Sequence, residues 1–155
     1  MDDENDKDCP YPCNDRVSGT ITSIEKDKEP MANRPLTLFQ TLSATIPYQT
    51  KDGSEIRELM HPESHGNANQ SLAEATVPVG GKTLQHRHLI AEEIYHITEG
   101  MGLMTLGDAS FEVKPGDTVC IPPGFDHCIE NIGQGPLVFL CACSPAYSHQ
   151  DTIIS

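Results

Sequence analysis

QHRHLIAEEIYHITEG, residues 85–100, holds three histidines and three glutamates in a chain that has seven histidines altogether. His86 and His88 are two apart, so on an extended strand both imidazoles leave one face and Arg87 leaves the other. Glu93 lies five residues beyond His88, an odd interval that turns it away from them on a straight strand. It rejoins their side only if LIA, residues 89–91, makes a turn or bulge and a new strand begins near Glu92. EIYHIT then sends Glu93, Tyr95 and Ile97 to one face and Ile94 and His96 to the other. On that register Glu92 is a surface carboxylate and His96 an ordinary strand histidine.

The surroundings read the same way. Short apolar runs are separated by tight turn signals: Asp52-Gly53, Gly80-Gly81, Gly100, Gly107-Asp108, Pro115-Gly116-Asp117, Pro122-Pro123-Gly124 and Gly133-Gln134-Gly135. LTLFQTL, residues 36–42, is apolar enough for a first strand or a docking segment, and strands are predicted near residues 71–79, 83–88, 93–98 and 137–143, with shorter ones between. Amphipathic helical runs are scarce. The fold class is therefore all-β, a sandwich or barrel with little helix. HPESHGNANQ, residues 61–70, reads as a loop, because Pro62 and Gly66 oppose a helix that would align His61 with His65.

Bulk properties narrow the function classes. The 155 residues suit one domain with a substantial core. Residues 1–30 carry nine acids against four bases and few large apolar side chains. They are expected to form a short acidic, mobile N-terminal arm, with a possible strand at VSGTITSI, and residues 31–155 the barrel domain. The formal net charge of −13 argues against nucleic acid and against anionic membrane surfaces. No run reaches the roughly 18–20 apolar residues of a membrane span. The acidic start lacks the basic, then apolar, pattern of a secretory signal, so a cytoplasmic address is expected. The six cysteines then read as free thiols or small buried hydrophobes. The Cys9…Cys13 pair lacks the second knuckle of a zinc clip.

A fourth candidate ligand, His127, opens a strand directly after the PPGFD turn. Three neutral imidazoles and one carboxylate suit a single borderline divalent ion such as Fe, Mn, Ni, Co or Zn. Such a set leaves one or two positions for water or substrate, the signature of a chemical rather than a structural site.

The framing residues carry a resemblance. Gly80, five residues, His86-x-His88, four residues, Glu93, six residues and Gly100 are followed after fifteen residues by a second run. It comprises Gly116, five residues, Pro122-x-Gly124, two residues, His127, three residues and Asn131. These resemble the two signature motifs of the cupin superfamily, G-x5-H-x-H-x3,4-E-x6-G and G-x5-P-x-G-x2-H-x3-N, over a motif core of residues 80–131. The resemblance implies a double-stranded β-helix, or jelly-roll, barrel binding one divalent metal through His86, His88, Glu93 and His127. It also implies a homodimer, formed by strand exchange or sheet packing, for which the apolar run LVFLCAC at residues 137–143 is suited.

The reaction is less legible. Tyr95, inward and two residues from Glu93, is the candidate proton donor or substrate contact. Arg57, Gln70 and Gln85 are candidates for the pocket rim, Arg57 as a fork for a carboxylate or phosphate. Tyr147 and His149 lie in a C-terminal run that can fold back to the barrel's edge. The expectation is a metal-dependent enzyme with dioxygenase-type chemistry on a small organic substrate. A sugar-phosphate isomerase resembling mannose-6-phosphate isomerases and a non-catalytic small-molecule-binding barrel are the alternatives. Only six Lys or Arg in residues 31–155 count against a phosphate site.

Overall fold

A computed structural model describes residues 38–155. The expected acidic arm at residues 1–30, its VSGTITSI strand, Cys9 and Cys13 lie outside the described residues. Eleven strands follow in chain order: β1 (Tyr48–Gln49), β2 (Glu55–Met60), β3 (Ser71–Val77), β4 (His86–His88), β5 (Glu92–Glu99), β6 (Gly102–Leu106), β7 (Ala109–Val113), β8 (Thr118–Ile121), β9 (His127–Asn131), β10 (Leu137–Ser144) and β11 (Thr152–Ile154). They form two antiparallel sheets, one ordered β1-β2-β3-β10-β5-β8 and the other β11-β4-β9-β6-β7. Their side chains pack face to face in a double-stranded β-helix barrel. No described helix is long and apolar enough to cross a membrane.

The strand expected at residues 36–42 does not form over the described part, residues 38–42. Thr41 and Gln40 precede a single 3-10 turn at Leu42–Ala44 instead. Leu38 and Phe39 stay exposed there, so no alternating face exists to bury. Strand β4 is shorter than the predicted 83–88, because Thr83 turns inward to bond β9, Oγ1 accepting from Ile129 N at 3.1 Å. The short C-terminal strand β11 is an addition that the sequence reading did not make.

Period-two burial explains the cavity. Strand β3 alternates strictly, with Ser71, Ala73, Ala75 and Val77 inward. Register stacks Ser71, Cys143 and Glu93 in one inward row of β3, β10 and β5, then Ala73, Cys141 and Tyr95, then Ala75, Phe139 and Ile97. In the first two rows β3 and β10 contribute only small side chains, Ser71, Ala73, Cys141 and Cys143, and leave a chamber. Further along, Phe139, Ile97, Leu137, Met104 and Ile129 fill the space between the sheets. The barrel is thus packed at one end and hollow at the other.

Candidate metal centre

The turn demanded by the odd spacing is present. Residues 89–91 separate β4 from β5, and β5 buries Glu93, Tyr95 and Ile97 while exposing Glu92, Ile94 and His96. His96 bonds Thr118 Oγ1 at 2.8 Å on the outer face. His86 and His88 point inward together from β4, and His127 enters beside His86 as its cross-strand partner on β9. Glu93 reaches them from the opposite sheet. The four ligand atoms lie within 4.8 Å of one another, and all four residues are buried.

Hydrogen bonds set the imidazole tautomers. His86 Nδ1 lies 2.8 Å from Leu84 O and His127 Nδ1 lies 3.1 Å from Phe125 O. A carbonyl only accepts, so each Nδ1 carries the proton and each neutral ring keeps a bare Nε2. His127 Nε2 is fully buried with no hydrogen-bond partner, although Glu93 Oε2 lies 3.2 Å away. Such an orphaned lone pair needs an electrophile there. His88 Nε2 lies 3.1 Å from the same Glu93 Oε2. Separations of this size match neighbouring ligands on an ion with bonds of roughly 2.0–2.2 Å. The residues present therefore fit a divalent cation.

Electrostatics support the anionic state of Glu93. Burial by itself raises its pKa; Nε2–H donors on His127 and His88 outweigh that and bring it down to about 2, and a cation held between bare Nε2 atoms would fill the same role. Its second oxygen, Oε1, accepts from the Cys143 thiol at 3.3 Å. Burial pushes that thiol up, so it stays a neutral donor. Burial lowers the His86 pKa, with the neighbouring His127 adding to it, and this favours the neutral, ligating ring.

Above the cluster, a chamber opens between the two sheets toward solvent. Ile56, Ala73, Ala75 and Phe139 form an apolar wall, and Asp52, Glu58, Tyr48 and Tyr147 add polar lining. No Lys or Arg lines it among the described residues. Tyr95 lies in the wall, 4.5 Å from the Phe139 ring and 5.9 Å from His127 by centroids. Burial holds its phenol protonated, so it can donate but not act as a base.

Arg57 and Gln70 do not reach the chamber. Alternation on β2 turns Ile56 and Glu58 inward and Arg57 outward, where it meets its cross-strand neighbour Glu74 at 3.8 Å. Gln70 is exposed in the loop before β3, its carbonyl accepting from Asn67 Nδ2. Gln85 is exposed too, its carbonyl bonded by Ser155 N. Lining residues that the sequence reading did not assign include Asp52, Cys143 and Thr152. Asp52 reads as a turn residue, and its Oδ1 does accept from Thr50 Oγ1, Ser54 N and Ser54 Oγ. Its Oδ2 nevertheless lies 4.0 Å from His86 Nδ1. Cys143 had one signal, the shared face with Cys141.

The model of the Cupin domain family matches residues 73–143, from β3 through β10. The chain belongs to the cupin superfamily. An uncharacterised protein of Methanocaldococcus jannaschii is 62% identical over 108 residues, spanning 70% of this cupin and 86% of its own length. A predicted oxalate decarboxylase of Thermotoga maritima superposes with a TM-score of 0.62 at 25% identity, covering 70% of this chain and 99% of its own. The polyketide cyclase RemF of Streptomyces resistomycificus superposes with a TM-score of 0.61 at 22% identity, covering 68% and 77%. Those two names describe unlike reactions on one barrel, so the shared fold does not select the chemistry of this cupin.

Proposed function

We propose that this cupin is a divalent-metal enzyme acting on a small, non-anionic organic molecule with dioxygenase-type chemistry. One observation carries the reading. Three imidazoles, one of them with a buried, unbonded Nε2, and a carboxylate converge at the inner end of an apolar-walled chamber without a basic side chain among the described residues. His86, His88, Glu93 and His127 would hold a redox-capable ion, which would supply Lewis acidity and relay electrons from the substrate to O₂. The chain's own residues do the rest. Ile56, Ala73, Ala75 and Phe139 exclude water from the substrate's apolar body. Tyr95 donates a hydrogen bond from the wall, and Asp52 offers a fixed carboxylate able to take a proton. Both oxygen atoms end in the product, so no external reductant is required.

Phosphate or carboxylate recognition draws on Arg, Lys or a helix N-terminus. The chamber walls offer none of these among the described residues, and Asp52 and Glu58 repel such groups. This favours the oxygenase reading over a sugar-phosphate isomerase and moves substrate contact from Arg57 and Gln70 to Tyr48, Asp52 and Glu58. The reading includes a homodimer through the outer face of the larger sheet. Leu72, Ala142, Ile94 and Cys120 make one apolar row across four strands there.

The test begins with metal analysis of protein purified without added ions. Iron-loaded protein should then consume O₂ with a catechol or a β-diketone as probe. His88→Ala should abolish both metal retention and uptake. Full occupancy by redox-inert zinc with no uptake after iron loading would refute the oxygenase reading, and no bound metal would refute the site.

A further inference from the structure

The family match ends at residue 143, yet the residues beyond it reach back to the ligand cluster. Strand β11 pairs with β4, opposing Thr152 to His88. Thr152 is almost completely buried, and its Oγ1 makes two short contacts, to Ser148 O at 2.8 Å and to His88 Nδ1 at 3.2 Å. A hydroxyl has one proton, and the Ser148 carbonyl can only accept it. The contact with His88 must then run the other way, with the ring's Nδ1–H donating to Thr152 Oγ1. Neutral His88 is left with a bare Nε2, which faces Glu93 Oε2.

We propose that Thr152 is a positioning residue for the metal centre, holding His88 in the tautomer that ligates through Nε2. This rests on the metal-site reading above and extends it to a segment that the family model does not cover. His88 differs from its partners in needing such a device. His86 and His127 anchor their Nδ1 atoms on carbonyls two residues away in their own segments. His88 has no carbonyl acceptor of that kind. Its other tautomer, with Nε2–H donating to Glu93 Oε2, is satisfied within the cluster and closed to an ion. Thr152 removes that alternative from sixty-four residues away in sequence.

Neighbouring contacts fix Thr152 itself. Asp151 accepts from Ile90 N at 2.9 Å and Ala91 N at 3.0 Å, while its carbonyl accepts from Leu89 N at 3.0 Å. Lys51 Nζ donates to Thr152 O at 2.6 Å. The turn that brings Glu93 into register and the hydroxyl that orients His88 are therefore held by adjacent residues of one segment.

The test titrates Co²⁺ into apo protein, read by the visible absorption of the bound ion. Thr152→Val keeps the shape and removes the hydroxyl. It should weaken Co²⁺ binding by about 10- to 100-fold, the usual cost of losing a ligand's hydrogen-bond partner. Thr152→Ser should restore it. Equal affinities for Thr152→Val and wild type, with wild type binding well, would overturn the proposal and leave the metal site intact. Wild type that binds no Co²⁺ would overturn the metal site itself. Nitrogen-15 NMR of zinc-loaded wild type decides the matter if Thr152→Val does not fold. A slowly exchanging His88 Nδ1–H with a zinc-shifted Nε2 is expected, and zinc on Nδ1 would refute the tautomer lock.

Discussion

Single residues here do two jobs, ligand and frame. His86 and His88 are legible from period two alone, while Glu93 needed the turn at residues 89–91 and His127 its PPGFD frame. Asp52, Cys143 and Thr152 were not legible, because the closed barrel, and no local pattern, brings them to the cluster. Arg57 shows the converse error, since chemistry made it attractive while alternation on β2 sends it outward. Among the framing glycines, Gly100 and Gly116 both sit at positive φ, +82° and +93°. A Cβ at Gly116 meets nothing within 4 Å, whereas one at Gly100 runs into the Pro136 carbonyl and the Leu137 Cα at 2.9 Å. Gly116→Ala should cost only the left-handed backbone penalty, about 1–2 kcal/mol. Gly100→Ala should cost about 2–5 kcal/mol, because overpacking adds to it. Urea denaturation of the two variants checks the ordering, and equal losses would mean that backbone conformation alone selects both glycines.

At the scale of elements, the strands with strong alternation were legible and the weak ones were not. Strands β3, β5 and β10 each hold seven or eight residues, and the alternation of β3 and β5 sets their register, while β10 shifts register against β5 between Val138 and Phe139. Strand β11 is three residues long, follows the polar run YSHQD and is ordered by pairing to β4, which no local propensity reports. Position within a sheet also bears on assembly. Strand β10 lies between β3 and β5, so its backbone groups are already paired and it has no free edge to exchange. A homodimer built on this sheet must therefore use its outer face, where Ile94 remains 39% exposed between Ala142 and Cys120. Ile94→Glu places a charge in that row without touching the inward side of β5. Sedimentation velocity should show a dimer for wild type and a monomer for the variant. A dimer that survives the substitution places the interface elsewhere.

For the whole molecule, the ligand cluster draws its members from both sheets. His86 and His88 on β4 and His127 on β9 belong to the smaller sheet, and Glu93 on β5 belongs to the larger. An ion bound by all four would bridge the two sheets at the end of the barrel that holds the chamber. Because the four donors converge only when both sheets are in place, metal binding is linked to folding. A ligand at a thousand times its dissociation constant adds about 4 kcal/mol. In a chain of this size each kcal/mol moves the melting temperature by roughly 2–4 °C. Chelation followed by buffer exchange should therefore lower the melting temperature by about 8–16 °C, and one equivalent of metal should restore it. His127→Ala breaks the link between β9 and the opposite sheet, so its melting temperature should no longer respond strongly to either treatment. Scanning calorimetry of the four samples separates this linkage from incidental metal capture. Incidental capture predicts the same small response in the variant and in wild type, since a site outside the cluster does not depend on His127.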